Sequence, residues 1–169
     1  MSGRHVLSFP IEGRRFNYRV AAVIVVDGHV LVCREDDDDY VMLPGGRVEL
    51  GEASTLSLAR EIAEELALPA EIGPLAATSE SFYRRDGEEF HELAIFYRVA
   101  LPGQRPDGSM PWLVRHDEGH ELQFSWVPLE GGGLEAVNLL PAWLPVFLRR
   151  HAGPAVDAVP HVVHDARAP

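Results

Sequence analysis

Apolar residues along this chain gather in short runs separated by polar turns, and the spacing inside each run separates strands from helices. Tyr18 to Val26 is rich in valine and isoleucine, Asp27-Gly28 is a two-residue hairpin signal, and His29 to Glu35 returns as a second strand. Such continuous apolar runs predict strands covered on both faces. Tyr40 to Leu43 is a further short strand, Pro44-Gly45-Gly46 has the composition of a tight turn, and Arg47 to Glu49 is another strand. Two long strands follow, Leu75 to Arg84 and Glu88 to Leu101, joined by Arg85-Asp86-Gly87. Pro102 to Arg115, with its Pro-Gly and Pro-Asp-Gly steps, is a loop, and Glu121 to Val127 alternates as a last strand.

Two stretches have a helical period. From Ala53 to Ala67, at about 100° per residue, Thr55, Leu58, Ala59, Ile62, Ala63 and Leu66 form an apolar stripe, with Glu61, Glu64 and Glu65 on a narrow arc roughly opposite. The second helix starts near Pro141, a favoured first position, and runs to Arg150, with Trp143, Leu144, Phe147 and Leu148 free to pack. Gly131-Gly132-Gly133 breaks the chain before it. Residues 1–17 hold one apolar patch, Val6 to Phe9, which predicts a short strand or arm. From His151 onward no period is visible, which predicts a tail or an arm reaching a partner subunit. With no repeat and no second boundary, residues 18–151 form one domain, flanked by the arm (1–17) and the tail (152–169).

Composition narrows the function. A chain of 169 residues that is 46% hydrophobic is long enough for one core and short for two. Its 26 acidic residues against 15 Lys plus Arg give a formal charge of -11, which argues against a nucleic-acid or anionic-membrane surface. Cys33 is the single cysteine, so no internal disulfide forms and a reducing compartment is expected. No apolar stretch approaches the roughly 20 residues of a membrane span, and the first residues lack the apolar centre of a signal peptide. A soluble cytoplasmic protein is the expectation.

The acidic helix carries the chemistry. Glutamates three and four positions apart repel by a few tenths of a kcal/mol per pair, and Arg60 is the lone cation beside them. A divalent cation is the economical counter-charge, because hard oxygen ligands hold magnesium together with substrate phosphates. Glu52 stands just before the helix, and a backbone carbonyl at Gly45 can add an oxygen. The run Asp36 to Asp39 lacks the spaced oxygens and turn glycine of a calcium loop, so a solvated loop is the better account. His116 and His120 have helical spacing, but Gly119 between them argues against a helix and against a metal pair.

The spacing is specific. From Gly46 the order is glycine, five residues, Glu52, seven residues, Arg60-Glu61-Ile62-Ala63-Glu64-Glu65, one residue, then Ala67 and Leu68. This resembles the Nudix box of the Nudix hydrolase family, G-x5-E-x7-R-E-U-x-E-E-x-G-U with U apolar, at every specified position except the second glycine, which is Ala67. A chance match of that kind in a chain of this length is on the order of one in a million. Ala67 leaves the acidic face intact and bears on the turn after the helix, where glycine eases a left-handed cap. Pro69 supplies a stop.

The resemblance implies an α+β fold, an α/β/α sandwich with a mixed sheet between helices. It also implies water attack on the diphosphate linkage of a nucleoside diphosphate derivative, a small-molecule substrate, with Mg²⁺ (Mn²⁺ as the alternative) neutralising the oxygens. Glu64 and Glu65 would be the main metal ligands, with the Gly45 carbonyl and Glu61; Arg60 would orient the carboxylates, Glu52 would fix the loop or hold metal through water, and Gly46, Glu52 and Tyr83 would border the substrate. Family members differ in the base: some resemble a pattern using the first glutamate of the Arg-Glu pair, here Glu61, and others take one from a later loop, here Arg115 to Glu121 with Glu118 and Glu121. Stacking candidates for the nucleoside are Tyr18, Phe82, Tyr83 and Trp112. A binding module or sensor without hydrolysis is the alternative, and the apolar N-terminal patch and tail leave room for a homodimer.

Overall fold

Short hairpin loops with positive φ set half of the strand pairs among the described residues. The computed structural model describes residues 5–153 and 158–167. In chain order its strands are β1 (Ser8–Ile11), β2 (Arg14–Val23), β3 (Val25–Val26), β4 (His29–Glu35), β5 (Gly45–Arg47), β6 (Glu71–Arg85), β7 (Glu88–Ala100), β8 (Leu113–Asp117), β9 (His120–Pro128) and β10 (His161–Asp165). The helices are α1 (Ser54–Leu66), α2 (Gly133–Ala136) and α3 (Leu144–His151). Glu12-Gly13, Asp27-Gly28, Asp86-Gly87 and Glu118-Gly119 each take positive φ at both positions, the geometry that matches the right-handed twist of the flanking strands.

One sheet has the order β1-β2-β7-β6-β10, with β5 also on β2; the other is β3-β4-β9-β8. β2 with β7 and β6 with β10 are parallel, while the remaining pairs are antiparallel. This is the expected mixed sheet between helices. The run expected as one strand from Tyr18 to Val26 begins earlier, at Arg14, and breaks at Ile24, where the chain leaves the first sheet for the second. Both faces are covered, as the unbroken apolar run predicts: Val20, Ala22 and Ile24 pack with Leu58, Ile62 and Leu66 of α1, while Ala21 and Val23 pack with Leu144, Phe147 and Leu148 of α3.

Several expected boundaries change for local physical reasons. Pro44-Gly45-Gly46 is not a tight turn: Gly45–Arg47 is a strand lying against β2, and a Cβ on Gly45 would come 2.1 Å from the Val20 carbonyl oxygen. Tyr40 to Leu43 makes only isolated bridges, at Val41 and Met42. The loop expected through Arg115 ends at Trp112, and Arg115 to Glu121 is a hairpin between β8 and β9. The last helix starts at Leu144, and the short α2 follows the glycine triplet. Within the stretch expected as a tail, β10 adds to β6 of the same chain, tied at its ends by Thr78 N–H to the Pro160 carbonyl and Ala166 N–H to the Phe82 carbonyl. Of the expected arm and tail, residues 1–4, 154–157 and 168–169 lie outside the described residues.

Helix α1 spans nearly what its period predicts, but its faces are arranged differently. Leu58, Ile62 and Leu66 are fully buried, together with Ser57, whereas Thr55, Ala59 and Ala63 are exposed. Each of those large side chains contributes roughly 1.5–3 kcal/mol on burial. The row Ser57, Glu61, Glu65 therefore lies beside the buried row rather than opposite it, because positions one apart differ by only about 100°. Ser54 Oγ is 2.7 Å from the Tyr97 hydroxyl and anchors the helix start to β7.

The helix ends at Ala67, which adopts the left-handed conformation (φ 53°, ψ 35°) and donates its N–H to the Ala63 carbonyl. Arg115 of β8 donates to the Leu66 carbonyl at 3.3 Å, satisfying another of the last carbonyls. Ala67 fills the role of the missing glycine at a cost of about 1 kcal/mol in backbone strain. Ala67→Gly is expected to raise stability by about 0.5–1 kcal/mol, read as a higher urea midpoint with an unchanged slope.

Candidate functional site

Two adjacent glycines bring a strand and an acidic helix face into direct contact. Position 46 faces α1, and a Cβ there would meet the Glu61 carboxylate at 2.3–2.6 Å. Gly45, at φ 148°, a region that glycine tolerates best, donates its backbone N–H to Glu65 Oε2 at 3.2 Å. The glycines thus leave room for carboxylates where other residues would carry side chains. Val48, just after β5, exchanges backbone hydrogen bonds with Tyr18 and Leu7, which fixes the far end of the strand.

Arg60 holds the neighbouring acids. Its Nε and Nη2 donate to the two oxygens of Glu52 at 3.1 and 2.9 Å, Nη1 donates to Glu61 at 2.7 Å and Glu64 at 3.4 Å, and Glu49 lies 3.6 Å from Nη2. The forked contact is charge-assisted and directional. It holds the Glu52 carboxyl below the ordinary range and raises the Arg60 guanidinium further above neutrality.

Glu61 and Glu65 behave differently. Burial pushes the Glu61 carboxyl up against the pull of Arg60. Burial likewise pushes Glu65 up to about 8, opposed by Arg19 and reinforced by Glu61 and Asp117. Taking an ionised carboxylate out of water without a matching cation is costly, and among the described residues no arginine or lysine pairs with Glu65 within 4 Å. The donors gathered here are all oxygens. That set fits a hard divalent ion such as Mg²⁺ or Mn²⁺ and does not suit a soft one. Cys33 lies nearby, but burial and then Glu65 raise its thiol, so it is inert.

The remaining sequence candidates disperse. Tyr83 stacks flat on Phe90, ring centroids 4.9 Å apart, and donates its hydroxyl to Glu92 at 3.2 Å. Tyr18 packs into the core under α1, Phe82 stacks on His91, and Trp112 packs edge-on to Trp126. Glu118 sits at the exposed tip of the β8–β9 hairpin, and Glu121 accepts from Gln123 at 2.6 Å and lies 3.5 Å from His116. Neither joins the carboxylates of α1 through an observed contact; Asp117, which the sequence reasoning passed over, is the hairpin residue whose charge acts on Glu65.

His116 and His120 turn to different partners, as expected for a pair interrupted by Gly119. His120 Nδ1 is 2.7 Å from Asp36, whose other oxygen accepts the Glu121 N–H. Asp36 is therefore bound into the hairpin and not simply solvated. Glu35, Asp36 and His120 bring one ligand atom each within 4.8 Å at an exposed position. Arg19 is the second residue missed, and its signal was visible: it is a lone charge inside an otherwise apolar run predicted to be covered on both faces.

Comparison with known proteins gives a match to the family model described as the NUDIX domain, over residues 16–143. Among solved structures, the E. coli ORF135 protein is 26% identical, the match covering 88% of this chain and 100% of that one with a TM-score of 0.51. MutT protein from Methanosarcina mazei Go1 is 24% identical over 85% of this chain and 96% of its own, with a TM-score of 0.60. An ADP-ribose pyrophosphatase from Streptococcus suis 89-1591 is 14% identical over 88% and 98%, with a TM-score of 0.57. No curated protein matches the chain.

The two glycines make separable predictions. A methyl at position 46 meets only the end of a flexible side chain, so Gly46→Ala is expected to fold with a thermal midpoint near the wild-type value while displacing Glu61, lowering pyrophosphohydrolase turnover by about tenfold or more. At position 45 the obstacle is backbone, and Gly45→Ala should cost several kcal/mol, on the order of an overpacked core substitution or more. Thermal melts and turnover measured side by side check both.

Proposed function

Because the chain belongs to the NUDIX domain family, we propose that it is a metal-dependent pyrophosphohydrolase that cleaves the diphosphate linkage of a nucleoside diphosphate derivative by water attack at phosphorus. The observation that carries this reading is the row of Glu61 and Glu65 pressed against the backbone of Gly46 and Gly45, with one arginine shared among the acids around it. Such an arrangement is strained for a bare protein and suited to one that binds a divalent cation together with an anionic substrate.

In the proposed site, Glu61, Glu64, Glu65 and the Gly45 carbonyl hold Mg²⁺, or Mn²⁺ in its place. The bound ion supplies Lewis acidity that neutralises diphosphate oxygens. Arg60 acts as a positioning residue: its contacts to Glu52, Glu61 and Glu64 fix those side chains before substrate arrives, which avoids ordering them during reaction. Glu52 completes that fork and also lies 3.4 Å from the Glu49 N–H, tying the pre-helical loop to the helix. Asp117 adds negative potential from the hairpin side.

The non-catalytic alternative drew its support from Ala67 and from the unassigned base. Ala67 closes the helix in the conformation glycine would take, which removes the first of these, and hydrolysis is the reading kept.

Glu64→Gln and Glu65→Gln are each expected to lower turnover by about a hundredfold or more, assayed with Mg²⁺ on a panel of nucleoside triphosphates, ADP-ribose, nucleotide sugars and dinucleoside polyphosphates by release of phosphate or mononucleotide. Near-normal activity in both variants would refute the metal-ligand assignment. In the absence of metal the Glu65→Gln protein is expected to melt at or above the wild-type temperature near neutral pH, because a neutral amide keeps the Gly45 hydrogen bond and avoids the cost of either protonating the buried carboxyl or burying its charge.

A further inference from the structure

The sheet β3-β4-β9-β8 carries a groove on the face turned away from α1. We propose that this groove is a second ligand site, separate from the acidic row, which takes a small carboxylic acid with an aromatic or branched aliphatic body.

Strand alternation builds it. Along β4, Leu31 and Cys33 face the core under α1, so Val32 and Arg34 face the other way; along β9, Phe124 and Trp126 face that core, so Gln123, Ser125 and Val127 face the groove. The register sets Val32 beside Ser125 and Arg34 beside Gln123. Val41, Val137 and the Met110-Pro111 step of the loop before β8 complete the lining. The space amounts to about 220 Å³. An apolar cavity of about 150 Å³ holds a benzene molecule, so the groove has room for a ring and a short acid chain.

Its polar groups leave hydrogen-bonding capacity unused. Val32, Val41 and Val127 are buried and give an apolar floor. Arg34, the charged residue of the lining, donates through Nη1 to the Asp38 carbonyl, which orients the guanidinium. Its Nε and Nη2 have no partner among the described residues. That pair of N–H groups is the edge that grips a carboxylate with two parallel hydrogen bonds. Ser125 Oγ is likewise without a partner among the described residues.

Neighbouring acids turn to other groups. Glu35 and Asp36 face His120, Glu121 accepts from Gln123 with His116 3.5 Å away, and Asp38 accepts from the Tyr40 hydroxyl. The guanidinium charge is therefore directed at the groove.

These features fix the class of ligand. The free N–H groups of Arg34 donate and never accept, so they call for an acceptor and repel an amine. A carboxylate taken out of water needs a paired, hydrogen-bonded cation, which the fork supplies. The valine floor calls for an apolar body behind the acid. One guanidinium balances one negative charge; a phosphate dianion would leave an excess beside a chain whose formal charge is already -11.

Phenylacetate is the probe, titrated into the isotope-labelled full chain and followed by two-dimensional NMR, with phenylacetamide and inorganic phosphate as controls. Phenylacetate is expected to bind with a Kd of about 1 mM, shifting the amides of Val32, Gln123 and Ser125. Phenylacetamide should bind about tenfold more weakly or worse, and inorganic phosphate should leave those amides unmoved. Arg34→Gln should bring the acid down to the affinity of the amide. Met110→Glu alters a side chain that is 65% exposed, so the fold is kept while a like charge at the rim weakens the acid. No shift at these amides up to about 20 mM phenylacetate, equal affinities for acid and amide, the same shifts with phosphate, or an acid affinity unchanged in either variant would overturn the proposal. The titration needs no metal, so its outcome is read separately from that of the hydrolysis assay.

Discussion

Bringing carboxylates of like charge against a peptide backbone is the constraint from which the rest of this molecule follows. Glu61 and Glu65 lie on a helix whose next row is fully buried, so hydrophobic packing of Leu58, Ile62 and Leu66 forces the acids inward. Each buried apolar side chain contributes on the order of 2 kcal/mol, more than the few tenths by which neighbouring glutamates repel on an exposed helix. Packing wins, and the electrostatic cost falls on the two residues whose carboxyls are raised by burial.

The fold contains that cost with specific devices. Glycine at 45 and 46 removes the side chains that would otherwise occupy the contact. Arg60 gathers four of the surrounding carboxylates and leaves Glu65 with a backbone N–H alone. At the helix end, Ala67 accepts a left-handed geometry, and Arg115 reaches across from β8 to a terminal carbonyl. The hairpin that supplies Arg115 also supplies Asp117, so the same element that caps the helix adds negative potential beside Glu65. Stability and chemistry are linked here through one short segment, which is a common consequence of building a site on packed elements.

On the opposite face of β2 a different balance holds. Arg19 precedes the apolar half of β2, and the sheet register sets it in one row with Ala94 and, beyond it, the buried and unpartnered Ser79 hydroxyl. The two faces of one strand thus meet different surroundings. Val20 and Ala22 support the acidic helix, while Arg19 and Ala21 border a cleft toward α3. Strand alternation makes this possible, since successive side chains point to opposite faces.

Hydrophobic period and turn chemistry were enough to read from the chain its main strands, the double covering of β2 and β4, the Asp-Gly hairpins and the span of α1, because each depends on neighbours a few residues apart; the α+β fold came with the family resemblance. The spacing of Gly46, Glu52, Arg60, Glu61, Glu64 and Glu65 likewise gave the family, since a helix and its preceding loop are local objects. The same information took the Gly45-Gly46 pair for a turn where it forms a strand, ran one strand through the break at Ile24, left β10 as a tail or arm, and named Glu118 and Glu121 where Asp117 is the hairpin charge acting on Glu65. Those outcomes rest on contacts between residues far apart in sequence, where register, burial and the field of distant charges decide, and only the assembled sheets and helices bring them together.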